Sequence, residues 1–354
     1  MHSPLKTYKI RTTMLLTTII ALSLPSNGAL AENSKTLQDR LPNEVVNNKD
    51  QFLTFTIEND LFGSGTDQNY TNGARLTYFD VASTPPDTAY FITNYLPLIS
   101  INETSSTTYS IGQNLYTPEN ITTKTPDPSD RPYAAFLYGS ASFTTLKDNH
   151  IDQLEMTLGV IGPAALGKEV QKFVHNTIDA DNPAGWDHQL KNEPGVILSW
   201  ERVWPGAYSK EFSDLTFSAD PFTGFSAGNI YTYGSAGMTL SITPTKHKWQ
   251  SPPPRVRPAM PGNGYFLVPE NQHSWSLFTS VETRAIARNI FLDGNTFTES
   301  PSVNKKHIVN DINAGVSYTY GRTQLSYTVT WRSKEFDNQK DPSIFGAISI
   351  GRRF

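Results

Sequence analysis

Cysteine is missing from the 354-residue chain, which removes disulfide frameworks, thiolate zinc sites and thiol nucleophiles at once. Net charge is small, formally −4 with neutral histidines, so there is no basic footprint and nucleic acid is excluded as a partner. Mean hydropathy is −0.41, and beyond the first thirty residues no apolar run reaches the roughly 20 residues a spanning helix needs. No Gly-x-Ser-x-Gly elbow occurs, and Ser199 and Ser218 fall inside strand patterns with no histidine close in sequence, so a serine nucleophile has little support. Aromatics, by contrast, are abundant: 19 Phe, 16 Tyr and 6 Trp, too many for a disordered chain.

The N-terminus is a separate object. Lys6, Lys9 and Arg11 precede the short apolar stretch Met14–Leu24, and Ala29-Leu30-Ala31 is a small-x-small cleavage site. This reads as a secretory signal peptide over residues 1–31. Its removal takes three positive charges and no acid, so −4 becomes −7. Residues 32–50 are a polar arm. An exported, aromatic-rich chain with no later spanning helix is a soluble periplasmic protein or an outer-membrane barrel.

From residue 51 onward hydropathy alternates with period two, the mark of strands. In Phe52–Asp60, Leu53, Phe55 and Ile57 face one way and Thr54, Thr56 and Glu58 the other. Val316–Trp331 reads as a hairpin turning at Gly321-Arg322. Twelve such segments are expected, near 51–60, 72–81, 107–116, 133–146, 150–161, 194–204, 213–221, 229–242, 273–288, 307–319, 323–335 and 344–354. The even count and a last strand ending at Phe354 predict an all-β fold, an antiparallel transmembrane barrel over 51–354. The terminal Phe resembles the C-terminal signal of such proteins, which makes the barrel-assembly machinery a partner during biogenesis. A soluble β-sandwich is the competing fold. With the N-terminus periplasmic, the external loops fall near 61–71, 117–132, 162–193, 222–228, 289–306 and 336–343. Connections 82–106 and 243–272 are long and proline-rich where short turns are expected.

Loop 162–193 switches to helical period over Ala164–Ile178. Leu166, Val170, Phe173, Val174 and Thr177 form an apolar stripe, and His175 sits beside it. A short α-helix pinned to the barrel mouth would hold His175 at a fixed height. The first external loop, from Glu58-Asn59-Asp60 to Thr71-Asn72-Gly73, gathers carboxylates and neutral oxygens suited to a hard cation, although a polar turn has the same composition. Lys124 and Arg131 are expected on the same outer rim.

Glu58-Asn59-Asp60 followed by Tyr70-Thr71-Asn72-Gly73, Gln113-Asn114-Leu115-Tyr116-Thr117-Pro118, Asp130-Arg131-Pro132-Tyr133 and Gly159–Pro163 with Glu169-Val170-Gln171 and His175 occur in order. Together they resemble the lipid A 3′-O-deacylase family (LpxR type), from about residue 50 to the C-terminus. The resemblance implies a twelve-stranded outer-membrane enzyme that removes the acyloxyacyl chain from the 3′ position of lipid A, with Ca²⁺ as cofactor and lipopolysaccharide of the outer leaflet as substrate. It further implies a catalytic His at His175, the strand-end pair at Asn59 and Asp60, the hydroxyl residue at Thr71, an acidic metal residue at Asp181 and the active-site Lys at Lys124, where a count without a gap falls on Thr123. Lys124 and Arg131 are then candidates to dock the glucosamine phosphates. The other function classes are a non-catalytic barrel, pore or structural, and a calcium-dependent outer-membrane phospholipase.

Overall fold

The computed structural model describes residues 50–63, 69–81, 105–244, 272–354 and most of 252–268, with isolated positions between 83 and 94. The expected signal peptide and all of the polar arm except Asp50 lie outside the described residues.

Among the described residues thirteen strands follow one another: β1 (Gln51–Asn59), β2 (Asn69–Asp80), β3 (Ser105–Thr117), β4 (Ala134–Leu146), β5 (Ile151–Ile161), β6 (Glu193–Val203), β7 (Tyr208–Phe212), β8 (Leu215–Gly228), β9 (Tyr231–Pro244), β10 (His273–Asn289), β11 (Ile308–Tyr320), β12 (Thr323–Arg332) and β13 (Ser343–Arg353). Every pairing is antiparallel and joins strands consecutive in the chain, except that β6 skips β7 to pair with β8 and β1 pairs with β13. β1 joins β13 in register Phe55↔Ile350, and β6 joins β8 in register Trp200↔Phe225. The result is a closed twelve-stranded barrel with one extra strand. That extra is β7, five exposed residues paired only to the first part of β8.

Closure gives each of the twelve barrel strands a partner on both sides, so they can satisfy their backbone internally in a membrane; only the extra strand β7 keeps an open edge among the described residues. The two faces are inverted relative to a soluble sandwich. Leu53, Phe55, Leu277, Val281, Ile312, Ile348 and Ile350 are exposed on the outer wall, while Thr54, Thr56, Thr328 and Ser349 are buried inside. The lumen also holds ion pairs, among them Arg75 with Glu155 at 3.3 Å, and Arg284 and Arg332 with Asp311, each at 2.9 Å. An apolar outside over a polar inside is the membrane-barrel pattern. Among the described residues no helix is long and apolar enough to cross a membrane.

Two expectations about the connections need correction. Residues 222–228 are not a loop: they continue β8, and the turn to β9 falls at Asn229-Ile230. The ladder persists because Phe222 and Phe225 have partners on both sides, in β6 and in β9. The proline-rich connection 243–272 does not hang below the barrel. Its described part threads the lumen, where Phe266 packs edge-on against Phe52 at 5.2 Å and Val256 is fully buried. Of the companion connection 82–106, little lies within the described residues.

Both termini of the sheet lie at one end. The opposite end carries α1 (Gly167–Ile178) and the one-turn helix α2 (Ile290–Asp293). The candidate site is there.

Candidate functional site

The excursion between β5 and β6 begins at Gly162, whose φ of +93° suits glycine; a Cβ there would also lie 2.6 Å from the backbone of Lys191 and Asn192. Two left-handed residues, Leu166 and Asp179, bracket α1. The wall-facing side of α1 is Gly167, Gln171 and His175, at i, i+4, i+8, with Val170 and Val174 half-buried beside them. The apolar stripe expected from sequence is therefore not the buried one: Phe173 is 73% exposed and Leu166 50%. The reason is steric and polar together. Gly167 has no side chain to hold it off Ala135 and Trp186, and the two larger inward groups are hydrogen-bonded rather than apolar.

His175 is buried. The left-handed turn at Asp179 reverses the chain so that the carbonyl of Asp181 comes back to His175 Nδ1, at 2.5 Å. A carbonyl only accepts, so Nδ1 is the donor in this bond. One turn earlier, Gln171 accepts from the indole N–H of Trp186 at 2.7 Å. Indole only donates, which fixes the amide with Oε1 toward Trp186 and its NH₂ pointing elsewhere; Nε2 is buried with no hydrogen-bond partner among the described residues. Trp186 is itself packed against Tyr133, ring centroids 5.0 Å apart. In the sequence Gln171 is marked by its i−4 spacing from His175 and its place in Glu169-Val170-Gln171.

The wall beneath is built by β1 to β4. Asn59 pairs with Asn72, Asn72 with Leu115, and Leu115 with Ala135, one continuous row. Leu115 and Ala135 pack with Ala165 and Trp186 of the excursion, and Gln113 Nε2 donates to the carbonyl of Ala165 at 2.6 Å. Neighbouring strands are ~4.8 Å apart, so the end of β1 lies three strand spacings along this row from Ala135, against which Gly167 of α1 packs. A β-bulge between Tyr70 and Asn72 leaves Thr71 without a partner in the ladder and turns its hydroxyl onto Thr117 Oγ1, at 2.6 Å. Asn59 caps the 3₁₀ turn Asp60–Phe62 by accepting the N–H of Leu61 at 2.7 Å, and Asp60 is buried.

Asn59, Asp60, Thr71 and the helix bearing His175 thus lie at the same end of the barrel, the helix over β3 and β4 and the strand-end residues on β1 and β2. Lys124 is exposed on the loop after β3. Asp181 is exposed, and what it gives His175 is its backbone oxygen. Arg131, expected on the rim, is fully buried. Its guanidinium lies 4.9 Å from the centroid of the Tyr116 ring and donates to Glu335 at 3.4 Å. It braces the inner mouth, because a desolvated guanidinium needs a ring and a carboxylate as partners, and in this position it faces no headgroup.

The oxygen donors fit a hard cation in kind: a buried Asp60 carboxylate, the Thr71 hydroxyl and carbonyls of the β1 end. Among the described residues no group of three or more His, Asp or Glu could hold a metal, so neutral oxygens would have to complete the shell.

A closed barrel with apolar outer wall and polar lumen defines an outer-membrane barrel protein. The family model for "Outer membrane protein LpxR" matches residues 14–354. The chain belongs to the LpxR family and is a protein of the bacterial outer membrane. Among solved structures, LpxR from Salmonella typhimurium is similar at 20% identity and TM-score 0.68, covering 85% of this chain and 99% of that one. The β domain of the Bordetella autotransporter Brka follows at 6% and 0.40, covering 86% and 99%, and the translocator domain of NalP from Neisseria meningitidis at 11% and 0.37, covering 87% and 90%. Among curated proteins no sequence matches the chain.

Proposed function

We propose that this chain is a lipid A 3′-O-deacylase, hydrolysing the ester that carries the acyloxyacyl chain. The observation that carries the reading is the contact of buried His175 Nδ1 with the Asp181 carbonyl, which orients the ring on a helix held against the barrel wall; Nε2 is assigned as the base. A general base of this kind contributes roughly 10²–10⁴ in rate.

In the proposed reaction Nε2 takes a proton from water as the hydroxyl oxygen bonds to the ester carbonyl carbon. The carbonyl π electrons move to oxygen, giving a tetrahedral oxyanion. Its collapse breaks the bond to the sugar oxygen, which recovers the proton from His175. The Gln171 NH₂ is a suitable donor to the oxyanion, since Trp186 fixes the amide's orientation. Asn59, Thr71 and Lys124 are assigned to binding and orienting the substrate at this end of the barrel. Asp60, with Asp181 as a second carboxylate, would hold Ca²⁺, which supplies Lewis-acid stabilisation of the developing negative charge when bound. Arg131 is assigned to bracing the mouth instead of docking phosphate.

The test is mass spectrometry of lipid A and phospholipids from cells expressing the protein. Loss of the 3′ acyloxyacyl mass from lipid A, with phospholipids intact, is expected. Untouched lipid A beside a folded barrel would exclude the reading, and lysophospholipid would favour a phospholipase.

A further inference from the structure

The proline-rich connection between β9 and β10 has a bonding pattern that a mere filler does not need. Val256 donates its N–H to Glu58 Oε1 at 3.0 Å. Its carbonyl accepts from Tyr138 Oη at 2.6 Å and from Asn114 Nδ2 at 3.3 Å. On one side Arg255 lies 3.8 Å from both Glu58 and Asp311; on the other Arg257 pairs with Glu282 at 2.6 Å. The wall is shaped to receive this residue. Gly73, the cross-strand partner of Glu58, leaves space that a side chain would fill: a Cβ there would stand 2.7 Å from Val256 Cγ1.

Glu58 immediately precedes Asn59 and Asp60. It is a buried carboxylate, and such a group destabilises its surroundings unless hydrogen-bonded and paired. Its partner N–H and an adjacent guanidinium both come from the inserted connection. We infer that Arg255 and Val256 are positioning residues: through Glu58 they hold the end of β1, and with it Asn59 and Asp60, at the height the outer site requires. The lumenal connection would then couple the inside of the barrel to a reaction on its outer face. This rests on the deacylase reading for its effect on rate, but not for its effect on the strand end.

The experiment compares wild type, Glu58→Ala, Glu58→Gln, Arg255→Met and the double variant Glu58→Gln/Arg255→Met as folded, detergent-solubilised barrels. Two readouts are taken: hydrogen exchange of the β1 end (residues 57–62) and kcat and KM on lipid A. Arg255→Met is expected to raise exchange there about tenfold or more and to lower kcat by about 10- to 10²-fold, the cost of roughly 1 Å of misplacement, with KM within about twofold. Glu58→Gln keeps an acceptor for Val256, so in the double variant it should restore much of the loss by removing the unpaired charge. Unchanged exchange in Arg255→Met overturns the inference, as does faster exchange with wild-type kcat. If Glu58→Ala does not fold, Arg255→Met decides alone, because it lies on the connection and not in the wall. Should wild type itself release no acyl chain, the deacylase reading fails, while exchange still decides whether the connection holds the strand end.

Discussion

Replacing Gly167 by Ala adds one methyl group at the contact between α1 and the barrel. Its Cβ would lie 2.5 Å from Ala135 Cβ and 2.6 and 2.8 Å from two ring atoms of Trp186. Ordinary carbon contacts are about 3.5–4.0 Å, so the first turn must retreat by about 1 Å. Two effects oppose each other. Alanine favours helix over glycine by about 1 kcal/mol in a helix interior and by less in a first turn, whereas overpacking costs about 1–3 kcal/mol. Overpacking wins, and docking weakens while the isolated helix strengthens. His175 lies eight residues further along the same face, ~12 Å at 1.5 Å per residue, so a lifted first turn moves the imidazole. The expected outcome is a fall in the initial rate of acyl release from defined lipid A of about 10- to 10²-fold. Barrel melting should stay near wild type, since the helix can retreat from Ala135 while the backbone ladder of β4 is unchanged. A Gly167→Ala protein with a wild-type rate would refute the reasoning, because His175 would then not depend on this contact.

Gln171→Ala should lower kcat by about 10²–10³, the usual cost of an oxyanion donor, with KM little changed; a change confined to KM would assign Gln171 to binding. Chelation with EGTA after stripping bound metal should abolish hydrolysis and Ca²⁺ should restore it, and full activity in EGTA would remove Ca²⁺ from the account. Lys168 bonds Asp187 at 2.6 Å and holds its carboxyl below the usual carboxylate range. A depressed folded-state value means the tie is present above the ordinary Asp value of about 3.9 and is lost as pH falls through the lowered one. Hydrogen exchange of α1 should therefore be flat in this respect from neutral pH downward and step up only below about pH 4. The step should be missing in Lys168→Ala; its persistence there would assign it to another group.

The barrel was legible because one variable, the side of the wall, controls both polarity and sequence parity. Leu53, Phe55 and Ile57 against Thr54, Thr56 and Glu58 is that rule written along one strand, and β1 obeys it. The helix in the fifth connection was also legible from its period. Its orientation was not, because hydropathy ranks Phe173 above Gln171, whereas the wall accepts a glycine and two hydrogen-bonded polar groups and leaves Phe173 outside. Thr71 was found by resemblance; nothing local in sequence announces the bulge that turns it. Arg131 was misplaced on the rim because a charge in a polar loop carries no sign of the ring and carboxylate that bury it. The lumenal connection was the least legible part. Ser251–Pro261 has no period, and the partners of Val256 lie on β1, β3 and β4, more than a hundred residues away in sequence.

The central claim is that an imidazole on α1 removes a proton from water beside the end of β1. It is tested most directly by incubating purified wild type and His175→Ala with the same lipid A and weighing the products. The account predicts release of the 3′ acyloxyacyl acid by wild type and a rate lower by about 10²–10⁴ in a variant whose barrel is equally folded. Equal release by the two proteins would contradict it.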